Sequence, residues 1–486
     1  MHITSLPGPY GIGSFGKEAY KFVDFLEKAG QTYWQILPLG STGYGDSPYQ
    51  SFSAFDGNTD LIDLDQLVQL GYLKKKDFKN CDFGSDPEVV DYEKVTRLKM
   101  DLLKKAFKRA HKKVEKDLLT FKEENKHWIE DYALFMSIKE HNNLKPWKLW
   151  DEDIRLRQDK AMKKYQRKFK KDIEFWVFTQ FVFFTQWKDL KNYANQKGIK
   201  IIGDIPVYVA EDSSDTWANN AIFYLDENNV PVEVAGCPPD AFSETGQLWG
   251  NPIYDWEVLE KQNFDWWVAR IKANLKLYDI IRIDHFRGFE SYWQIPYGSE
   301  TAIDGKWIKG PGMKVFKAIK DALGDVDIIA EDLGYLTPEV HQLREDTGYP
   351  GMKVLQFAFD TREESDYLPH NYNKHCVVYT GTHDNDTVMG WLETSGQKED
   401  VEHAINYLKL TKEEGYHWGF IRGAWSSTGE LAIAQMQDFL ALGNDARMNI
   451  PSTIGGNWIW RCKPDAITEK LTEEIYDITK LYGRIS

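Results

Sequence analysis

Basic residues are the minority charge in this chain: 60 Lys and Arg stand against 75 Asp and Glu, for a net charge of −15. Binding a phosphate backbone needs a basic face, so a nucleic-acid partner is not expected. The acidity leaves a neutral partner such as a sugar open. Cysteine is scarce as well. The four, Cys81, Cys237, Cys376 and Cys462, lie far apart with no C-x-x-C pair. That excludes a disulfide framework or a zinc site and fits a reducing compartment. No stretch of about 20 apolar residues could span a membrane. The N-terminus, MHITSLPGPYGIG, has neither the basic start nor the apolar segment of a signal peptide. Internal repeats and low-complexity segments are also lacking. The expected protein is cytoplasmic, has no membrane partner, and is a monomer or weak homo-oligomer.

Hydrophobic residues make up 42% of the 486, enough for a large core. Aromatics are plentiful, with 18 Trp and 25 Tyr. Most are expected in the core, where large rings dominate packing. The remainder suit stacking platforms, because a sugar ring has a C–H face that an aromatic face covers well.

Eight short β-type runs end in or near Gly, Asp or Pro: His2–Leu6, Tyr33–Leu37, Lys200–Val207, Asp279–Ile283, Val326–Ala330, Lys353–Phe359, Cys376–Tyr379 and Leu431–Met436. Amphipathic helical stretches lie between most of them, such as Gly16–Ala29, Phe264–Leu277 and Met313–Leu323. Strand alternating with helix eight times predicts an α/β fold, a (β/α)8 TIM barrel with its reactive residues at the C-terminal ends of the strands. About 160 residues separate the second and third runs, and most are helical in pattern, including Tyr92–Lys116 and Phe121–His141. Their mixed charge marks wet helix faces. The expected organisation is a barrel start over 1–59, a helical insertion over 60–175, and the rest of the barrel over 176–486. A Pro-, Gly- and Asp-rich active-site loop is expected at about 223–262. Too little chain follows the eighth run for a C-terminal β-domain.

Three runs end in an acid within a compact polar motif: Asp284 in IIRIDHFRGF, Glu331 in DIIAEDLG and Asp384 in VVYTGTHDND. Singly, such an acid is usually a cap or turn residue. Three on one barrel rim define a shared site. Hard cations are one use for such oxygens. Glycosyl transfer is the other; it needs an ionised carboxylate and a protonated carboxylic acid about 5–5.5 Å apart in a retaining site. The neighbours favour the second. Arg282, two residues before Asp284, points to the same side and keeps that acid charged. Glu331 follows the apolar IIA, and desolvation there would keep it protonated. No metal and no cofactor are expected.

Several long motifs occur in order: TSLPGPYGIG, GDSPYQSFSAFDGN, GDIPVYVAEDSSD, PPDAFSETGQLWGNPIY, RIDHFRGF, AEDLG, GTHDND and GGNWIWR. Along nearly its whole length the chain resembles the 4-α-glucanotransferases (amylomaltases, disproportionating enzymes) of glycoside hydrolase family 77. The resemblance implies that Asp284 is the nucleophile, Glu331 the acid/base, and Asp384 the residue that holds sugar hydroxyls and stabilises the transition state. It places Arg282, His383 and Asp204 at the same sugar subsite, Tyr49 as the platform beneath the reacting ring, and Asn449 on the rim after the eighth strand. It makes the loop around Phe242, Gln247 and Trp249 a flap over the acceptor side. The implied partners are maltodextrins and other α-1,4-glucans. Family members usually have several more residues before the first strand, so either that strand is short or the sequence lacks residues that precede it. Ala241 stands where some relatives carry a second aromatic.

The main alternative is an α-amylase-type hydrolase of the related family 13. Those enzymes normally carry an Asn-His pair after the third strand and a C-terminal β-domain, and neither feature is in this sequence. A non-catalytic glucan-binding protein would be marked by loss of a carboxylate, and all three are present. A metal-dependent barrel enzyme is the weakest alternative.

Overall fold

Short β-branched runs fenced by Gly and Pro form strands here, and the amphipathic stretches between them form helices. The computed structural model describes residues 1–43, 45–239, 243–334, 336–362 and 364–485. Among these, the strands in chain order are β1 (Tyr33–Gln35), β2 (Lys200–Pro206), β3 (Glu233–Cys237), β4 (Gln247–Pro252), β5 (Ile280–Asp284), β6 (Ser291–Pro296), β7 (Lys306–Lys309), β8 (Ile328–Ala330), β9 (Gly351–Val354), β10 (Cys376–Tyr379) and β11 (Leu431–Ile433). One sheet has the order β1-β2-β5-β8 and a second β11-β10-β9; every pairing in both is parallel. The third, β4-β3-β6-β7, is antiparallel.

Alternation along the parallel strands sorts side chains onto two faces. Ile201, Ile205, Ile281, Ile283, Ile328 and Ala330 join the main core against the helices. Ile202, Ile329, Met352, Val354, Val377 and Tyr379 form a separate cluster, with Tyr33, Ile280, Leu431 and Ile433 packed on it. Every parallel strand thus contributes to one shared inner face. The polar site residues sit above this apolar cluster.

Seven of the eight expected runs contain a strand. The first does not: Ile3–Ser5 is a 3-10 turn. Its N–H groups turn back locally, Ser5 N–H to the His2 carbonyl and Leu6 N–H to that of Ile3. A five-residue run with two hydroxyl residues, followed by Pro7 and Gly8, lacks the alternation that holds a strand. The sixth and eighth runs are strands only at their starts. Leu355–Phe359 continues as a 3-10 helix and Met436–Phe439 as an α-helix.

Every described regular element between β1 and β2 is helical, the longest being Lys170–Gln196. The stretch expected as one helix from Tyr92 to Lys116 ends at Ala110, and a new helix starts at Glu115. These helices do not build a core of their own. Leu102, Phe135, Trp147 and Phe178 belong to the same cluster as Ile281 and Ile283 of β5. Residues 223–262, read as loop, contain β3 and β4. Pairing with β6 and β7, which no expected run covered, makes them a sheet.

Three buried carboxyls anchor loops around the site. Asp56 accepts from the Ser41 N–H and the Ser41 and Ser51 hydroxyls. Asp215 accepts from the Ala54 N–H, and Asp438 from the Thr380 hydroxyl and Val388 N–H. Burial pushes each up to about 6. A carboxyl raised above its unfolded value stabilises the fold at low pH, and that contribution is lost as pH climbs through the folded value. Self-repulsion at net charge −15 acts in the same direction. The Tm should therefore fall between pH 5 and pH 7.5. Asp438→Asn preserves both contacts, since its amide oxygen accepts from Val388 and its NH₂ donates to Thr380, and it should flatten the slope. Calorimetry across that range checks both; a Tm that rises with pH contradicts the assignment.

Candidate active site

A cleft of about 840 Å³ opens above the C-terminal ends of the parallel strands. Tyr49, Gln247, Trp249, Asp284, His383, Asp384 and Asn449 all line it. Asp204 and Arg282 are hydrogen-bonded to Tyr49 and Asp284 beside it, and Glu331 is held by the amide that follows Asp284. Phe242 lies outside the described residues.

Strand register assembles the centre. Asp204 of β2 is the direct partner of Arg282 of β5, and Ile283 is the partner of Ala330 of β8. The next residues, Asp284 and Glu331, therefore stand at one level on neighbouring strands. Arg282 Nη1 donates to Asp204 Oδ2 at 2.6 Å and to Asp284 Oδ1 at 3.0 Å. The chain then passes through a left-handed conformation at His285 (φ 56°). The His285 N–H donates to Glu331 Oε2 at 2.6 Å, and the Leu333 N–H to Glu331 Oε1 at 2.9 Å. Glu331 is thus clasped by the amide that immediately follows Asp284.

The two carboxyls hold protons differently. Burial raises both. It pushes Asp284 up to about 6, against the pull of the Arg282 guanidinium. It pushes Glu331 up to about 8, where the charge of Asp284 adds to the rise. Arg282 touches Asp284 and not Glu331, so Asp284 gives up its proton first. The Asp284 side chain is 29% exposed, open to the cleft. Near neutral pH the pair is one carboxylate and one carboxylic acid, the division that proton-assisted displacement at an acetal carbon requires.

An aromatic wall adjoins the pair. Tyr49 stacks on His383 with centroids 5.2 Å apart, and Trp458 tilts against both. The Tyr49 hydroxyl donates to Asp204 Oδ2 at 2.8 Å, so one carboxylate fixes Tyr49 and Arg282 together. Asp384 Oδ1 accepts from Asn449 Nδ2 at 2.6 Å and lies 3.3 Å from His383 Nε2. Arg447 ties these loops together, donating to the carbonyls of Asp384 (2.5 Å) and Asn449 (2.7 Å) and pairing with Asp386. On the opposite side Trp249 donates to Gln247 Oε1 at 3.1 Å and meets the His285 ring edge-on at 4.8 Å.

Sequence reasoning missed four residues. Trp458 lies in GGNWIWR, a motif already singled out without a role for this position, and Arg447 lies two residues before Asn449. Lys148 and Glu211 also line the cleft. Lys148 comes from the helical stretch read as solvated, and no local signal marks it. Among the described residues, no group of three or more His, Cys, Asp or Glu is arranged to hold a metal ion, and no helix is long and apolar enough to cross a membrane.

Paired carboxyls of split protonation beneath an aromatic-walled cleft define a carbohydrate-active enzyme. The family model for glycoside hydrolase family 77, described as 4-alpha-glucanotransferase, matches residues 1–468. The 4-alpha-glucanotransferase of Clostridium butyricum is 58% identical over the full length of both chains. That of Streptococcus pneumoniae is 52% identical, over all of this chain and 97% of the relative. An amylomaltase from Streptococcus agalactiae, solved in complex with acarbose, superposes with a TM-score of 0.98 at 46% identity, covering 100% of this chain and 99% of that one. The chain belongs to glycoside hydrolase family 77, and its activity is the family's, 4-α-glucan transfer; the α-amylase alternative is not favoured.

Proposed function

We propose that the enzyme moves α-1,4-glucan segments between maltodextrins by retaining double displacement at Asp284. The observation that carries this reading is the Glu331 carboxyl held by the amide next to Asp284. Such an arrangement sets a proton donor beside a nucleophile. In the first step an Asp284 oxygen bonds to the anomeric carbon while the bond to the leaving sugar's O4 breaks. The Glu331 proton passes to that oxygen. In the second, Glu331, now a carboxylate, takes the proton from an acceptor 4-hydroxyl, whose oxygen displaces Asp284. Two inversions restore the α-configuration.

The supporting roles follow from position. Arg282 keeps Asp284 charged, with Asp204 balancing the guanidinium. Tyr49 offers a ring face to the sugar, while His383, Asp384 and Asn449 offer hydrogen-bonding groups for its hydroxyls. Gln247 and Trp249 belong to a flap that holds water off the intermediate until an acceptor arrives. The same reading takes the two parallel sheets as arcs of one TIM barrel with a helical insertion over 60–175. Their shared inner face supports this, as does the Tyr379 hydroxyl donating across the arcs to Gln35 at 2.9 Å. It also takes the enzyme to be cytoplasmic, in keeping with four cysteines that lie far apart in the sequence.

Maltotriose is the direct test. Product analysis should show glucose plus a ladder of longer maltodextrins, with total reducing ends constant. Reducing ends that rise in step with bonds cut would mean hydrolysis and would sink the transfer reading.

A further inference from the structure

An ion pair also lines the cleft. Lys148 Nζ donates to Glu211 at 3.0 and 3.1 Å, and both residues line the cleft wall. Lys148 comes from the helical stretch and Glu211 from the segment after β2. A third partner joins them from the turn that follows β6. Lys148 donates to the Tyr297 hydroxyl at 2.8 Å, and that hydroxyl donates to Glu211 Oε1 at 3.1 Å. Tyr297 therefore has its polar end fixed at the cleft mouth, while its ring, 37% exposed, extends outward.

The exposed apolar surface continues from there. The Tyr297 N–H donates to the Val232 carbonyl at 3.1 Å, and the Val232 N–H to the Tyr224 carbonyl at 3.2 Å. Val232 and Tyr297 face each other across the antiparallel pair, as the Glu233–Pro296 register requires, so their side chains share a side. Val232 is 41% and Tyr224 48% exposed. Together the three side chains make a short strip that meets the cleft lining at the Lys148–Glu211 pair.

We infer that Tyr297, Val232 and Tyr224 form a distal subsite for a glucan chain, extending the acceptor arm past the Lys148–Glu211 pair. This rests on the transferase reading and adds to it where the chain goes on leaving the cleft. The chemistry suits a neutral polysaccharide. Lys148 and Glu211 cancel each other's charge yet still present donors and acceptors to hydroxyls. Tyr297 is immobilised before binding, so little freedom is lost when a sugar stacks on it. Continuity with the cleft favours a glucan over a protein partner. The apolar strip is also narrow, only three side chains.

The test compares acceptors of different length. Transfer from one donor to glucose and to maltoheptaose is measured for the parent, Tyr224→Ala and Tyr297→Ala. The parent should prefer maltoheptaose, and each variant should lower the maltoheptaose-to-glucose ratio of kcat/KM about fivefold, as loss of one stacking platform implies. An unchanged ratio, or an equal loss on both acceptors, overturns the proposal. So does a parent with no length preference, although transfer to glucose would then still uphold the transferase reading. If no transfer occurs at all, the binding of maltoheptaose to parent and Tyr224→Ala by calorimetry still decides the subsite. Sedimentation covers the competing occupant: a parent dimer that Tyr224→Ala dissociates would make the strip a contact between copies.

Discussion

Asp284→Asn should lower kcat on maltotriose by roughly 10⁴-fold or more while leaving the fold intact. The amide has no charge with which to attack the anomeric carbon. Stability should change little. The Asn carbonyl still accepts from Arg282 Nη1, and Arg282 retains Asp204 at 2.6 Å as its charge partner. A buried carboxylate that cost energy to ionise is also removed. Glucose release gives the rate and calorimetry the Tm. Near-parental turnover in a folded variant would remove Asp284 from the nucleophile's role.

For Glu331 the expected result has two parts. In the parent, Asp284 must be ionised and Glu331 protonated, so kcat/KM should rise with pH through about 6 and fall through about 8. These limbs belong to the pair, because each charge acts on the other proton. Glu331→Gln should cost about 10²–10⁴-fold in kcat on maltodextrins and abolish the alkaline limb. An α-glucosyl fluoride donor separates the two steps. Fluoride leaves without a proton, so the first displacement should recover. The acceptor hydroxyl then meets no base, and the glycosyl-enzyme should accumulate. Intact-mass spectrometry would detect it on Asp284. A flat profile between pH 6 and 9, or no adduct with the fluoride, would count against the acid/base assignment.

Much of this site was readable from the chain because its chemistry is local. Asp284, Glu331 and Asp384 each come at or shortly after the end of an apolar run, two of them beside His, and parallel strands deliver such residues to one edge. The spacing of Arg282 and Asp284 was visible for the same reason. What a linear reading could not supply was partnership between distant strands. Nothing around Asp204 says that it pairs with Arg282 and accepts from Tyr49; that follows from register. Lys148 is hidden likewise, its place set by how a distant helical stretch packs on the cleft. His2–Leu6 failed for a different reason, since five residues are too few for periodicity to separate strand from turn. β6 and β7 were passed over because the expected pattern held only parallel strands.

The pairing of Asp204 with Arg282 and of Ile283 with Ala330 makes catalytic competence a reading of alignment. A one-residue slip of β5 would turn Arg282 and Asp284 into the helix layer and Ile281 and Ile283 toward the cleft. Each of those isoleucines is worth roughly 1.5–3 kcal/mol when buried, so the misaligned sheet would lose its core and its chemistry together. Turnover in a refolded sample therefore counts the molecules whose strands found the right neighbours in the right frame. Quality control and catalysis are enforced by the same alternation of side chains.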